Sequence, residues 1–467
     1  MLMEPCSLQF IAEACAGQPL SGLPEVRVRR VCTDSRAIKG GDLFFALRGE
    51  RHDGHDFLFD VAKKGAGVVV VERGRLPANW KACATIVVED TRKALGRLAA
   101  EYRKNFVLPV VAVGGSNGKT TTKELVASVL KQKWTTLWSE ASFNNDIGVP
   151  LTLLRLRNSH QVAVLEAGTN HPGELAPLVK MIQPRYGILT CVGREHLEFF
   201  GDLAGVAREE GWLAELLPPD GKLFVNGDDE WCARTAERTR AQVVRVGFGP
   251  GNDWRGRAVR LDTRGTSFEV NGPIADFSGE YRIHLLGRHQ VVNALFAIAI
   301  GREMGLDSAA VGRGLAECRP AKMRLELWEC RGVRLLDDAY NANADSMLAA
   351  LQTLQALPCK GRRVAVLGDM AELGTHSEAA HEEVGRQAAG LGVGQLFVVG
   401  KMAPVMARAA RDAGLNRVFE FADVAAAAAA LKRFVKTGDL VLLKASRVTQ
   451  LERIAEWLFN GDAIRKN

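Results

Sequence analysis

The sequence predicts an α/β protein of three domains: a central phosphate-loop domain on a doubly wound, mostly parallel sheet, a smaller N-terminal α/β domain and a C-terminal Rossmann-like α/β domain. Three observations support this prediction. The chain has 467 residues, enough for about three domains of ~150 residues. Short, wholly apolar runs end at Gly or Asp, as in parallel strands buried on both faces. Helical patterns separate these runs, which is typical of doubly wound sheets.

The predicted strands and helices divide the chain into three stretches with different patterns. Residues 1–88 contain the short strand-like runs VRVRRVCTDSR, GGDLFFALRG and GAGVVVVERG and form the predicted N-terminal domain. Residues 89–319 begin with a helical segment over 91–104 and then alternate strands such as VVAVGG, VAVLEAG, YGILTCVG and KLFVNGD with helices. Residues 320–467 resume the alternation with VRLLDDAY, RRVAVLGDM, QLFVVG and DLVLLKAS.

Composition and charge narrow the class of protein. Apolar residues make up 47% and charged residues 25%, so most of the chain can bury a core. The nine cysteines are scattered without a C-x-x-C pair, which favours reduced thiols in a cytoplasmic protein. We expect no signal peptide, and no membrane span because no apolar run approaches ~20 residues. The net charge of +7 fits a mildly basic surface or an anionic small-molecule substrate. Basic residues are not interleaved with aromatics, so nucleic acid is not an expected partner.

The most specific motif is a phosphate-binding loop, GSNGKTT, which lies between an apolar run and a helical pattern. Its glycines let backbone N–H groups approach phosphate oxygens, and the following helix adds positive potential at its N-terminus. We expect Lys119 to reach the β- and γ-phosphates of ATP and Thr120 to offer its hydroxyl to Mg²⁺. Val113 stands where the longer form of this motif has a glycine. The predicted nucleotide-binding residues here are Gly115, Ser116, Asn117, Gly118, Lys119, Thr120 and Thr121.

Two further residues follow predicted strands and have two interpretations each. Glu166 ends the run VAVLE, at the sheet edge where α/β proteins bind ligands. From spacing alone it is either a second Mg²⁺ ligand or a helix-capping residue. His196 follows the strand-like run ILTCVG and is either a ligand or a structural histidine.

The motifs together resemble the Mur ligase family, the ATP-dependent, amide-forming enzymes of peptidoglycan synthesis. The matching segments are GSNGKTTTKE, NNDIGVPLTLL, EAGTNHPGEL, HLEFFGDLAGVA, DDAYNANADSM, GDMAELG and KASR, and the resemblance spans nearly the whole chain. NNDIGVP, YNAN and GDMAELG favour the member that joins D-Ala-D-Ala to the tripeptide carboxylate of UDP-N-acetylmuramoyl-tripeptide. The resemblance implies an acyl-phosphate intermediate, ADP and phosphate as products, and roles in cell-wall formation, cell shape and division. The alternatives are a sister ligase that adds a single amino acid and a folylpolyglutamate-synthase-like ligase.

The resemblance also implies roles for individual residues. Lys119 and Thr120 bind the ATP phosphates and the first Mg²⁺, Glu166 bridges magnesium ions, and His196 holds the second. The other implied ATP-site residues are Asn293, Arg324, Asp338, Tyr340 and Asn341. The implied substrate residues are Thr33, Asp34, Ser35, Arg36, Asp53 and His55 for the UDP-sugar, with Asn144, Asn145, Asp369, Lys444, Ser446 and Arg447 nearer the peptide and dipeptide.

Three positions depart from the family pattern, namely Glu210, Gln290 and Ala445, and the first of them bears on the chemistry. Fourteen residues after the equivalent of His196, the family commonly carries a carbamylated lysine, whereas this chain has Glu210. A glutamate offers a permanent carboxylate on a shorter stem, so we interpret Glu210 as a functional replacement with a catalytic role. The alternative is a solvated helix charge beside Glu209.

Functions of other classes fit less well. A phosphate-loop kinase or NTPase is disfavoured by Val113 and by the lack of a separate apolar run ending in Asp near the loop. A non-enzymatic nucleotide- or nucleic-acid-binding module would rely on the net charge alone. The domain count favours a monomer.

Overall fold

The computed structural model describes residues 2–20, 26–458 and the backbone of 465–466. The N-terminal part contains strands β1 (Cys6–Ser7), β2 (Gln18–Pro19), β3 (Arg27–Val28), β4 (Val31–Cys32), β5 (Leu43–Phe45), β6 (Val68–Glu72) and β7 (Ala84–Val88), helices α1 (Leu8–Cys15) and α2 (Leu58–Lys63), and a 3₁₀ turn at Gly54–Phe57. Strands β4, β5, β6 and β7 pair in parallel in that order, and β2 adds an antiparallel edge. The valines of β6 are buried, as their apolar run predicts.

The middle part contains the largest sheet. Its elements are α3 (Thr91–Arg103), β8 (Val110–Gly114), α4 (Lys119–Leu130), β9 (Thr136–Trp138), α5 (Gly148–Leu153), β10 (Val162–Glu166), α6 (Leu175–Ile182), β11 (Tyr186–Leu189), α7 (Leu197–Phe200), α8 (Leu203–Glu210), α9 (Trp212–Glu215), β12 (Lys222–Asn226), α10 (Glu230–Ala236), β13 (Gln242–Gly247), β14 (Trp254–Asp262), β15 (Gly265–Asn271), β16 (Gly279–Ile283), α11 (His289–Glu303) and α12 (Ser308–Glu317), with a 3₁₀ turn at Ala275–Phe277.

The order of strands in this sheet places the phosphate loop. The order is β16-β15-β14-β13-β12-β11-β8-β10-β9, parallel from β9 to β14 and antiparallel over the arm β14–β16. Strand β8 lies between β10 and β11, so the chain reverses its direction of winding there. Ligands of open α/β sheets bind in the crevice at such a switch point, beyond the carboxyl ends of the strands.

The C-terminal part is a second, mostly parallel α/β unit. Its elements are β17 (Glu326–Cys330), β18 (Val333–Asp337), α13 (Ala344–Ala356), β19 (Arg363–Gly368), α14 (Ser377–Gly390), β20 (Gln395–Val399), α15 (Ala403–Asp412), β21 (Val418–Phe421), α16 (Val424–Phe434), β22 (Leu440–Lys444), α17 (Arg453–Leu458) and β23 (Arg465–Lys466), with 3₁₀ turns at Gly374–His376 and Arg447–Thr449. The sheet order is β21-β20-β19-β22-β18-β17-β23, and β17 runs antiparallel to both of its neighbours.

The predicted fold class is confirmed, including the mostly parallel central sheet and the flanking α/β units. The antiparallel arm β14–β16 was not predicted. The boundaries after residues 88 and 319 stay predictions, although the described sheets do not cross them. Across residues 2–20 and 26–458, no helix combines the length and apolarity that crossing a membrane requires.

Candidate active site

The phosphate loop joins β8 to α4 and holds a conformation that requires glycine at two positions. Gly115 has φ of +108° and Gly118 has φ of +88°, both in the region that disfavours L side chains. A Cβ atom on Gly115 would lie 2.4 Å from Thr190 Oγ1, and one on Gly118 would lie 2.8 Å from Asn293 Oδ1. The loop is therefore held closely between the end of β11 and helix α11.

Lys119 begins α4 and lies among carboxylates. Its Nζ donates to the carbonyl oxygens of Gly115 and Ser116, the latter at 3.3 Å, and lies 3.7 Å from Glu195 Oε2. Burial lowers the pKa of Lys119, but Glu195, Glu210 and Glu166 outweigh that effect, so its pKa is raised and the ammonium stays charged. A buried, permanently charged ammonium beside an N-terminal helix turn is suited to phosphate oxygens.

The wall opposite the loop comes from the C-terminal part. The guanidinium of Arg324 lies 4.3 Å from the ring centroid of Tyr340, and the Tyr340 hydroxyl shares a short hydrogen bond with Ser142. Lys444 Nζ, at the end of β22, donates to Asp338 Oδ2 at 2.6 Å and to the carbonyl of Asn341 at 3.0 Å. A cation over an aromatic face and a buried ion pair hold this wall in one arrangement.

Between the two walls lies a cavity of about 590 Å³. It brings together most of the predicted site residues: Ser116, Asn117, Gly118, Lys119, Thr120, Thr121, Asn144, Asn145, Glu166, His196, Asn293, Arg324, Asp338, Tyr340, Asn341, Lys444, Ser446 and Arg447. Gly115, Glu210 and Asp369 are outside the set of described residues that line it. The Asp369 carboxylate instead accepts hydrogen bonds from the backbone N–H groups of Lys401 and Met402.

Three carboxylates near the loop are buried, and each has an oxygen without a hydrogen-bond partner among the described residues: Glu166 Oε2, Glu195 Oε1 and Glu210 Oε1. The other oxygen of Glu166 accepts from Asn144 Nδ2 at 2.9 Å, and that of Glu210 accepts from the Gly115 N–H at 2.7 Å. A buried carboxylate oxygen without a partner lowers the free energy of unfolding, so these oxygens indicate a site for a cation or a hydrogen-bond donor.

Glu210 is wholly buried behind the phosphate loop, so the solvated-charge alternative is wrong. Burial raises the pKa of its carboxyl to about 7, and Glu195 adds to this rise while Lys119 and the Gly115 N–H oppose it. Glu209 is also buried, and it accepts from the backbone N–H groups of Gly173 and Leu175. Neighbouring glutamates on α8 therefore face different surroundings, one the loop and one the start of α6.

His196 lies at the start of α7 with φ of +49°, and it lines the cavity. Its Nδ1 shares a short hydrogen bond with Glu372 of the C-terminal part, and its Nε2 lies 3.9 Å from Glu195 Oε2. A carboxylate on one ring nitrogen fixes the tautomer and leaves the other nitrogen free to accept a cation. Within the described residues, no three His, Cys, Asp or Glu side chains are close enough to hold a metal by themselves.

Polar contacts join the two walls around the cavity. The side-chain amides of Asn117 and Asn343 bond reciprocally at 3.3 and 3.1 Å. Arg194 forks between Asp345, at 2.6 Å, and Glu383. The loop that carries the phosphate-binding groups is thereby tied directly to the start of α13.

The N-terminal residues predicted to hold a UDP-sugar lie outside this cavity. Asp34 is half-buried and Arg36 is exposed, and the two form a bidentate ion pair. The Arg36 hydrogen bonds lower the pKa of Asp34 to about 2. The carbonyl of Ser35 accepts from Lys64 at 2.8 Å. His55 is buried, with Nδ1 2.6 Å from Asp53 Oδ1 and Nε2 accepting from the Glu72 N–H at 2.9 Å. Thr33 follows β4 and is half-buried.

The cavity also includes residues that the sequence did not indicate, among them Glu195, Glu372, Asn343 and Ser142. Glu195 directly precedes His196, at the same turn after β11, so the strand-end argument that selected the histidine applies equally to the glutamate. Glu372 lies in the GDMAELG segment, but nothing in that segment indicates contact with a histidine 176 residues away.

The chain is similar to known proteins along most of its length. Family models match residues 27–103 (Mur ligase family, catalytic domain), 113–301 (Mur ligase middle domain) and 323–447 (Mur ligase, glutamate ligase domain). The UDP-N-acetylmuramoyl-tripeptide–D-alanyl-D-alanine ligase of Escherichia coli (strain K12) is 37% identical over 439 residues, covering 93% of this chain and 94% of that protein. The chain belongs to the Mur ligase family.

Other Mur ligases extend the match to sequence and structure. The protein of the same name from Bacillus subtilis (strain 168) is 34% identical over 436 residues, covering 93% of this chain and 94% of that one. A crystal structure of MurF from Acinetobacter baumannii has a TM-score of 0.89 at 33% identity, covering 98% of this chain and 99% of that one. MurF ligase from Thermotoga maritima, in complex with ADP, has a TM-score of 0.80 at 28% identity, covering 92% and 96%.

Proposed function

We propose that this Mur ligase joins D-Ala-D-Ala to the tripeptide carboxylate of UDP-N-acetylmuramoyl-tripeptide, with ATP as the energy source, in peptidoglycan precursor synthesis. The observation that carries the proposal is the cavity in which Lys119 and the phosphate loop face Arg324, Asp338 and Lys444. The full-length relatives named for this reaction support the choice of acceptor. A single amino acid as acceptor and a folate substrate have weaker support. The relatives named for D-Ala-D-Ala addition match this chain over most of its length and most of their own.

Amide formation from a carboxylate requires activation, because a carboxylate is a poor electrophile. In the proposed reaction the tripeptide carboxylate attacks the γ-phosphate of ATP, which gives an acyl phosphate and ADP. The amine of D-Ala-D-Ala then attacks the acyl carbon, and phosphate leaves. The main physical demands are alignment and neutralisation of the repulsion between a carboxylate and a triphosphate.

The residues of the two walls meet these demands. The Lys119 ammonium and the loop N–H groups receive the phosphates, while Asn293 holds Gly118 from behind. Arg324 adds positive charge from the opposite wall, and the Asp338–Lys444 pair fixes the loop that carries Asn341. Closing the two walls together excludes water, which protects an acyl phosphate from hydrolysis.

We also propose that the site uses Mg²⁺, held by Thr120, Glu166 and His196. The orphan oxygen of Glu166 and the free Nε2 of His196 fit a hard cation that keeps most of its ligands as phosphate oxygens and water. Bound Mg²⁺ supplies charge neutralisation and alignment at the phosphates. Glu210 contributes a carboxyl group behind Lys119 that does not need CO₂ to form. We therefore expect turnover to be equal in CO₂-depleted and bicarbonate-supplemented buffer; activation by bicarbonate would contradict this role of Glu210.

The deciding experiment is mass spectrometry of the products. Purified protein receives ATP, Mg²⁺ and UDP-N-acetylmuramoyl-tripeptide, with D-Ala-D-Ala in one sample and single amino acids in the others. We expect a pentapeptide product only with the dipeptide. An amide only with a single amino acid would assign a sister reaction, and phosphate release without any amide would refute a ligase of this kind.

Location and oligomeric state are also proposals. We propose a cytoplasmic protein, since the nine cysteines are free thiols and such thiols persist in a reducing compartment. We propose a monomer, because the cavity walls described above come from one chain. Sedimentation analysis at micromolar concentration tests the second proposal, and a dimer mass would contradict it.

A further inference from the structure

Glu195 is a buried carboxylate of the cavity to which neither the phosphate-loop chemistry nor the proposed magnesium ligands give a role. Its side chain is 8% exposed and lines the cavity. Oε2 lies 3.7 Å from Lys119 Nζ and 3.9 Å from His196 Nε2. Oε1 is buried and has no hydrogen-bond partner within the described part of the chain. A carboxylate placed in this way is half-paired with a cation and has capacity for another.

The position of Glu195 is set by the backbone, which limits how far the side chain can withdraw. Its N–H donates to the carbonyl of Gly193 at 2.9 Å, and the N–H of Gly193 donates to Ser116 Oγ at 2.8 Å. On the other side, His196 is held by Glu372. The carboxylate is therefore fixed between the phosphate loop and the histidine.

Lys119 has competing partners at this point. In the arrangement seen here it bonds to carbonyls of its own loop and lies beside Glu195. A bound triphosphate would attract the ammonium away from Glu195, and the carboxylate would then face the phosphates with a full negative charge. Two anions side by side in a buried site repel strongly unless a cation lies between them.

We propose that Glu195 is an additional magnesium ligand of the nucleotide-loaded site, paired with Lys119 before the nucleotide enters. This inference rests on the proposed use of ATP and Mg²⁺. It assigns two opposite effects to one carboxylate. Without metal, Glu195 competes with phosphate for Lys119 and weakens nucleotide binding. With metal, it binds the cation and strengthens nucleotide binding.

The test uses Glu195→Gln, which keeps the shape of the side chain and removes its charge. Calorimetry measures the Kd of the non-hydrolysable ATP analogue AMPPCP for the full-length protein, once in EDTA and once in saturating Mg²⁺. In EDTA we expect the variant to bind about fivefold more tightly, because a repulsive charge near the phosphates is gone. In Mg²⁺ we expect it to bind about tenfold more weakly, as for loss of a group that supports a metal site.

Glu198→Gln is the matched control, since it makes the same charge change three positions away at an exposed residue of α7. It should leave both dissociation constants unchanged. Equal effects of the two variants would overturn the proposal, because they would reflect general electrostatics. A variant of Glu195 that weakens binding in both buffers would also overturn it, because that pattern indicates a structural role.

Failure of the inference is distinguishable from failure of the proposed function. If the unaltered protein binds AMPPCP equally with and without Mg²⁺, the proposed magnesium chemistry fails and Glu195 with it. If Mg²⁺ tightens binding equally in the unaltered protein and in Glu195→Gln, only the role of Glu195 is refuted. If Glu195→Gln does not fold, Glu195→Asp replaces it: the shortened carboxylate should still weaken Mg²⁺-dependent binding, and unchanged binding would refute the proposal.

Discussion

The cavity beside the phosphate loop and the N-terminal loops differ in how their charged groups are satisfied. In the cavity, Glu166 and Glu195 are buried with unpartnered oxygens. In the N-terminal loops, Asp34 is fully paired with Arg36 at the surface, and both ring nitrogens of His55 are occupied. Charges that lack partners inside a fold indicate a site built for a ligand, whereas locally satisfied charges stabilise the loop that carries them.

The sharpest test of the cavity is Lys119→Ala. We expect turnover to fall by about 10³-fold or more, since the phosphates lose a preorganised buried cation. The product assay by mass spectrometry measures this loss, and circular dichroism checks that the variant folds. Lys93→Ala is the control, because Lys93 is an exposed residue of α3. Near-normal turnover in the Lys119 variant would refute the assignment of the phosphate loop.

Asp337 tests whether burial of a carboxyl beside the cavity is enough to make it functional. It lies at the end of β18, wholly buried, and burial raises its pKa to about 7. Between its ordinary pKa and pH 7 the folded protein holds a proton that the unfolded chain releases, so the free energy of unfolding falls as pH rises through that window. Asp337→Asn lacks this penalty. Above pH 7 we expect it to be more stable by about 4 kcal/mol in urea denaturation.

The contrary outcome for Asp337 is equally specific. Asp337→Asn should keep turnover near normal, because Asp338, not Asp337, faces the cavity. A stability difference from the unaltered protein that does not grow between pH 5 and pH 7 would show that the carboxyl titrates at its ordinary value. Loss of turnover without a change in stability would show that Asp337 has a role in the reaction.

His55→Ala is the corresponding test in the N-terminal loops. The substitution leaves the part-buried Glu72 N–H without its acceptor and removes the ring nitrogen that contacts Asp53. We expect the free energy of unfolding to fall by about 2 kcal/mol. Urea denaturation measures this change, with His52→Ala as a control at an exposed neighbour. Unchanged stability, together with a raised KM for the UDP-linked substrate, would show that His55 is a binding residue.

Arg36→Ala should have the smallest effect on the fold. Its side chain is exposed and bonds only to Asp34 among the contacts described, so we expect no measurable change in stability. If this loop holds the UDP-sugar, the KM for UDP-N-acetylmuramoyl-tripeptide should rise several-fold while kcat is retained. Lys39→Ala is the neighbouring control. An unchanged KM would remove Arg36 from the substrate site.

The sequence was sufficient to predict the fold class and many of the residues that line the cavity. Strands β8 and β10 are wholly buried, and their runs are apolar except for Glu166 at the end of β10, so their pattern could not be mistaken for a surface element. The loop glycines and Lys119 form a local motif whose geometry follows from a few consecutive residues. Prediction was strongest where structure depends on short-range chemistry.

The features that could not be predicted depend on contacts between segments that are distant in the sequence. The pairing of His196 with Glu372 spans 176 residues, and that of Asn117 with Asn343 spans 226. Nothing within either segment indicates these partners. The antiparallel arm β14–β16 was missed for a related reason. Strand β14 is partly exposed and carries three arginines, and β15 alternates polar and apolar residues, so both lack the apolar runs on which the other strands were predicted.

The ion pairs of Arg194 with Asp345 and Glu383 give the contact between the middle and C-terminal parts a sensitivity to salt that the apolar contact between α1 and α3 does not share. These ion pairs are partly exposed. Ionic strength weakens such pairs, since the screening length is about 10 Å at 0.1 M salt. By contrast, the core between α1 and α3 is apolar and includes Ile11 and Leu98. Concentrated salt should therefore weaken the charged contacts between the middle and C-terminal parts and leave the apolar contact between α1 and α3 unchanged.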